Sequence, residues 1–148
     1  MGTSKTASAS PALALDHLGI AVRAPQELQK LFGILGLAVT HRERVEEQGV
    51  DTHFLELPPV TAHLELLEPF DAQSTIAKFL EKRGPGIHHL AFRVPRGRLD
   101  PLSVELAQAG YRLIYPEARE GAHQMRVNFI HPATAGGLLI EIMEPRGG

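Results

Sequence analysis

The stretch Asp16-His17-Leu18-Gly19-Ile20-Ala21-Val22 decides the reading of this chain, because it returns as His88-His89-Leu90-Ala91-Phe92-Arg93-Val94. The two histidines His17 and His89 stand 72 residues apart. A second pair of stretches repeats at nearly the same offset. Leu64-Glu65-Leu66-Leu67-Glu68-Pro69 matches Ile140-Glu141-Ile142-Met143-Glu144-Pro145, with Glu65 and Glu141 76 residues apart. Two unrelated pieces shifted by almost the same amount mark a duplicated module, each copy too small to close a core alone.

Working outward, Leu18, Ile20 and Val22 alternate with His17, Gly19 and Ala21, which predicts a strand with one buried face. A helix follows, with Pro25 near its start, Leu28, Leu31, Phe32 and Leu35 as its apolar stripe and Gly36 at its end. Strand-like runs cover 37–45, 50–57 and 62–67, with turns at Gly49 and Pro58-Pro59. Ser74 is placed to cap a helix over 75–82. The order then repeats. A strand over 87–94 leads to a helix lined by Leu99, Leu102, Leu106 and Ala109 and closed by Gly110. Strands over 111–115, 127–130 and 138–143 complete the copy. The expected fold class is α+β: two tandem βαβββ modules forming a curved sheet around a metal-containing cleft. Module one spans about 14–70, a linker helix about 74–83 and module two about 86–146, in a single domain over 14–146.

Composition narrows the function. Of 148 residues, 43% are apolar and 22% charged, as in globular proteins. Fifteen basic against 17 acidic residues leave a net charge of −2, so no nucleic-acid partner is expected. No apolar run approaches the about 20 residues that span a bilayer, so no membrane partner is expected either. Without cysteine, thiol catalysis and thiolate metal sites are excluded. Eight histidines against two tyrosines and no tryptophan leave imidazole and carboxylate as the available ligands. Residues 1–13, rich in Ser, Thr and Ala, are expected to be a disordered tail. They lack the apolar core of a secretory signal, so a cytoplasmic location is expected.

Each copy opens on a histidine and closes on a glutamate inside an apolar strand. Side chains alternate across a strand, so His17 lies opposite in face to Leu18, Ile20 and Val22, and His89 opposite to Leu90, Phe92 and Val94. Gly19 and Ala91 share the histidine faces and leave room before each imidazole. Glu65 and Glu141 are flanked by Leu64, Leu66, Ile140 and Ile142, where an ionised carboxylate is costly to bury unless paired or metal-bound. Two nitrogen and two oxygen donors, related by the repeat, converge on one metal site with positions open for substrate. A single strand-start histidine is ordinarily structural, and a single strand glutamate ordinarily faces water. Four of them at equivalent positions in two copies favour the shared site. Glu68 and Glu144 each precede a proline at a strand end and are expected to be exposed. His88 is in phase with the apolar face and reads as a packing residue. His63 is in phase with Glu65 and reads as cleft-lining, whereas His41, His53, His123 and His131 read as solvated.

With these residues in hand, the chain resembles the vicinal oxygen chelate superfamily and, within it, the methylmalonyl-CoA epimerase family. The resemblance is carried by 16–22, Glu47-Gln48-Gly49-Val50, Glu65-Leu66-Leu67-Glu68-Pro69, the helix 74–82 leading into Gly86-Ile87-His88-His89-Leu90-Ala91, Phe129-Ile130-His131-Pro132 and Gly137-Leu138-Leu139-Ile140-Glu141. It implies His17, Glu65, His89 and Glu141 as ligands of a divalent ion, cobalt foremost, with manganese, nickel or zinc as alternatives. It also implies a homodimer and an acyl-CoA substrate. Some members carry Gln at the position of Glu65 and a further glutamate at the position of Thr52. The departure here leaves Glu141, Glu65 and Glu47 as the candidate proton carriers. The implied reaction interconverts (2R)- and (2S)-methylmalonyl-CoA through an enolate stabilised by the cation. A glyoxalase-type lyase acting on a glutathione hemithioacetal and a non-enzymatic small-molecule binder of the same fold are the alternatives.

Overall fold

Alternating and helical patterns resolve into eight strands and three helices among residues 13–147, which the computed structural model describes. Of the expected tail, only Leu13 falls within them. The first copy comprises β1 (Ala14–Ala21), α1 (Pro25–Ile34), β2 (Val39–Val45), β3 (Val50–Glu56) and β4 (His63–Pro69). A connecting helix α2 (Thr75–Arg83) leads to β5 (Gly86–Arg93), α3 (Leu99–Gln108), β6 (Arg119–Glu120), β7 (Met125–Ile130) and β8 (Ile140–Pro145). No helix among the described residues is long and apolar enough to cross a membrane.

All eight strands form one curled, half-barrel sheet in the order β2-β3-β4-β1-β5-β8-β7-β6. The order reads as two copies back to back. β1 pairs parallel with β4, β5 pairs parallel with β8, and β1 meets β5 antiparallel at the seam. There His17 lies opposite Ala91 and Gly19 opposite His89, so each histidine faces the small residue of the other copy.

The two faces of the sheet bury different groups. On the outer face, Leu28 and Phe32 of α1 pack against Leu18, Ile20, Leu55, Leu64 and Leu66. Leu102 and Leu106 of α3 pack equivalently against Phe92, Val94, Ile130 and Ile142. The stripe expected on α1 is narrower than its spacing suggests, because Leu31 and Leu35 point to solvent. Gly36 and Gly110, both at φ +94°, end the two helices in a backbone conformation that suits glycine. Ser74 caps α2 as expected, its Oγ accepting from the Ala77 N–H at 3.0 Å.

The expected strand over 111–115 is not a ladder strand. Its backbone is held to β7 by one isolated bridge, Leu113 to Ile130, and by the buried Asn128 amide. Asn128 accepts from the Tyr115 N–H and donates to the Tyr115 carbonyl, both at 3.1 Å, just before Pro116. A side chain thus replaces the ladder, and the edge strand shrinks to β6.

Glu144 also departs from the reading as exposed: it is 2% exposed. Its carboxylate accepts from the Leu99 N–H at 2.9 Å and from Arg126 at 2.6 Å, so β8 supplies the N-terminal cap that the α3 sequence lacks. The first copy needs no such cap, because its helix begins with Pro25, which has no N–H. Replacing Glu144 with Ala leaves a buried N–H unpaired. We expect a loss of about 1–3 kcal/mol with an unchanged m value, read by urea unfolding.

Candidate metal centre and active site

The inner face of the seam carries the four repeat-related residues, and the structure brings all of them together. His17 Nε2 lies 2.5 Å from Glu65 Oε2, 3.3 Å from Glu141 Oε2 and 3.0 Å from His89 Nε2. His89 Nε2 lies 3.1 Å from Glu141 Oε2. All four side chains are buried. The ladder explains the meeting: Gly19 pairs with Glu65, Ala91 with Glu141, and the seam joins the two pairs.

The backing of each histidine comes from a local break in strand periodicity. Register along the seam skips Asp16 between the Leu15–Phe92 and His17–Ala91 pairs, and skips His88 between the Gly19–His89 and Ile20–Ile87 pairs. Asp16 and His88 are repeat-equivalent, and each bulge lets the extra residue turn towards the histidine beside it. Asp16 Oδ2 lies 2.8 Å from His17 Nδ1, and Arg93 donates to its other oxygen. His88 Nδ1 lies 2.9 Å from His89 Nδ1, with the His88 ring edge-on to Phe79. His88 is therefore more than the packing residue that strict alternation predicts. Asp16 is missed altogether by alternation; its adjacency to His17 was the signal that could have found it.

The electrostatics follow from these contacts. An ionised carboxylate only accepts, so His17 Nδ1 carries the proton shared with Asp16, and Nε2 faces two carboxylates and a second imidazole. Lone pairs so gathered repel unless a cation or a proton lies among them. Burial alone would lower the His17 pKa, but hydrogen bonds to Asp16, Glu141 and Glu65 outweigh it and raise it to about 11. Burial likewise works to raise Glu141, yet hydrogen bonds from His17 and His89 bring it down to about 2, and Glu65 is lowered by His17 and His63 against its own burial. Burial, with the neighbouring His89, pushes His88 down to about 4, which keeps it neutral. This donor set, two imidazole nitrogens and two carboxylates, fits a divalent cation. His17, Glu65 and His89 donor atoms all lie within 4.8 Å of one another.

A cavity of about 360 Å³ opens in front of the four side chains. Glu47 is exposed at its rim and Thr52 is buried in its wall. His63 stacks on His17 with ring centroids 5.2 Å apart, and its Nε2 lies 3.6 Å from Glu65 Oε1, in keeping with its phase. His53 is not solvated: it is 7% exposed on the α1 side of β3, between Gln29 and Glu68, whose partly buried carboxylate lies 3.4 Å from its Nε2. His123 is half-exposed and lines the cavity near Phe54, whereas His41 is exposed. His131 accepts from the Ala133 N–H and closes a turn.

Comparison with known proteins finds relatives along almost the whole chain. Residues 16–129 match the profile of the Glyoxalase/Bleomycin resistance protein/Dioxygenase superfamily. A methylmalonyl-CoA epimerase structure from Mycobacterium tuberculosis is 42% identical, with a TM-score of 0.84 over 94% of this chain and 93% of that one. The chain belongs to the methylmalonyl-CoA epimerase family. It is accordingly an isomerase of the racemase and epimerase class. The mitochondrial epimerase of Bos taurus is 32% identical over 130 residues, covering 86% of this chain and 72% of that protein. A further epimerase structure, in complex with methylmalonyl-CoA and NH4+, is 32% identical with a TM-score of 0.79, covering 90% of this chain and 94% of that one.

In this epimerase, Gly19 is the position that most directly limits the centre. A Cβ there would overlap the His89 imidazole. We expect Gly19→Ala to fold yet lose divalent-ion affinity roughly 10–100-fold as the ring is displaced, read by metal titration calorimetry beside circular dichroism.

Proposed function

We propose that this epimerase interconverts (2R)- and (2S)-methylmalonyl-CoA, with His17, Glu65, His89 and Glu141 holding one divalent cation. The observation that carries the reading is the meeting of two carboxylates and two imidazoles, one of each from either copy, at the floor of a single cavity. The relative complexed with methylmalonyl-CoA supports the substrate. A bound cation supplies Lewis-acid stabilisation of the charge that develops on the thioester oxygen. Cobalt is the proposed ion; the ligand types accept manganese, nickel or zinc as well.

The residues of the chain supply positioning and proton transfer. Asp16 holds the Nδ1 proton of His17 and thereby aims the Nε2 lone pair into the centre. The contact of His88 with His89 does the same in the second copy. Inversion needs a proton removed from one face of the C2 carbon and returned on the other. Glu141 serves one face and Glu65, from the opposite copy, the other; Glu47 on the rim is the alternative to Glu65. A carboxylate held near pKa 2 is a weak base, so Glu141 gains basicity only as its bonds to His17 and His89 loosen. Leu67, Val127, Phe129 and Met143 line the cavity and limit water at the reacting carbon.

The test is turnover in deuterium oxide. Each epimer is expected to convert into the other with one deuterium gained at C2, while His89→Ala and Glu141→Ala lose both the ion and the activity. Absence of interconversion, or full metal occupancy in both variants, defeats the proposal.

The two candidates for the second face separate in a further assay. Glu65→Gln keeps an oxygen ligand but no base. It is expected to retain metal and lose roughly 10²–10⁴-fold in inversion, exchanging the C2 proton of one epimer faster than it inverts it. Wild-type inversion in Glu65→Gln together with a dead Glu47→Gln assigns the second face to the rim instead.

A further inference from the structure

His63 opens β4 and is the ladder partner of His17 on β1, so the two rings lie nearly parallel with centroids 5.2 Å apart. Phe54 of β3 packs on the same imidazole, with centroids 5.6 Å apart. The His63 side chain is 20% exposed, yet its Nε2 is buried and has no hydrogen-bond partner among the described residues. An orphaned buried nitrogen is rare and costly, so it points to a partner that is engaged only in some state of the protein. What Nε2 faces is Glu65 Oε1, at 3.6 Å, somewhat beyond hydrogen-bond length. The other carboxylate nearby, Asp16, is already engaged: one oxygen meets His17 Nδ1 and the other accepts from Arg93. Glu65 gives Oε2 to the centre, where it meets His17 Nε2, and has Oε1 left for His63.

The second copy is built differently at this point. The offset of 76 residues that carries Glu65 to Glu141 carries His63 to Leu139. Leu90 pairs with Ile140, which places Leu139 beside His89 as His63 stands beside His17. Leucine offers no donor, and the contacts of Glu141 with His17 and His89 both run through Oε2. One carboxylate of the centre therefore has a dedicated neighbour for its second oxygen, and the repeat gives the other only an apolar side chain.

We propose that His63 is a positioning residue for Glu65: its Nε2–H donates to Oε1 and holds Oε2 towards the divalent ion. The inference rests on the reading of the centre as an ion site and not on the identity of the substrate. A ligating carboxylate whose second oxygen is hydrogen-bonded keeps one orientation, and loss of such a partner lowers metal affinity. In the ion-free protein the same nitrogen is a burden, because it is buried without a bond.

The experiment titrates the metal-free, full-length protein with cobalt(II) alone by calorimetry and records each variant's unfolding midpoint without ion. His63→Leu installs the residue that the second copy carries, and His63→Gln keeps a side-chain N–H donor. The expected result for His63→Leu is a roughly tenfold or greater loss of cobalt affinity with an unchanged or higher midpoint. His63→Gln is expected to stay within about threefold of wild type. Long-range ¹H–¹⁵N spectra of the zinc-loaded protein are expected to show the His63 proton on Nε2. Cobalt affinity within about twofold of wild type in His63→Leu overturns the role, as does a Gln variant as weak as the Leu variant, or a His63 proton on Nδ1. A wild type that binds no cobalt overturns it together with the ion reading. The deuterium assay reports on the reaction separately. The expected cobalt and tautomer results in a protein that does not invert methylmalonyl-CoA sustain the positioning role and remove only the proposed reaction.

Discussion

Everything in this molecule hangs on the antiparallel seam between β1 and β5. Backbone pairing there is ordinary; what is special is the cross-matching of side chains. His17 sits opposite Ala91 and Gly19 opposite His89, so each bulky ring fills the space that the other copy leaves. A Cβ at Gly19 would push the His89 ring away from the centre. The same seam brings β8 close enough for Glu141 to reach His17 of the other copy, where Glu65 of the parallel partner β4 already meets it. One ladder therefore fixes the sheet order, the close approach of the two copies and the positions of four polar side chains.

Gathering those four groups works against stability, because buried acceptors without a counter-charge are costly. The surroundings compensate in part. Asp16 and Arg93 form a chain of charge-assisted contacts behind His17. Behind His89 stands a neutral histidine instead. The two halves of the centre thus differ in what backs each histidine although they share a scaffold.

Much of this was legible in the sequence, and the failures share a cause. Duplication read from His17, His89, Glu65 and Glu141 pointed to the curved sheet and to the meeting of those four side chains, because strand alternation constrains which side chains share a face; that the two copies join through β1 and β5 came only from the structure. Alternation failed where the strands themselves break it. Bulges moved Asp16 and His88 onto the histidine side, against their parity. Burial of Glu144 escaped notice because its partner, the first N–H of α3, is 45 residues away in sequence. His53 looked solvated because nothing local announces that Gln29 of α1 will cover it. The 111–115 segment carried strand-like residues, yet Asn128 took over its bonding. In each case the deciding interaction was long-range or a defect in regular structure, and neither is written in periodicity.

A centre with approximate two-fold symmetry has no preferred sense. Matched groups on both sides suit a reaction that must treat two faces of one carbon alike, but they offer an asymmetric ligand two equivalent ways to lie. The connecting helix α2 breaks that tie. It occurs once among the described residues, between β4 and β5, and the second copy ends without an equivalent. Its position gives the cleft a head and a foot. Duplication thus supplied the balance at the centre, and the leftover connection between the two copies supplied its polarity.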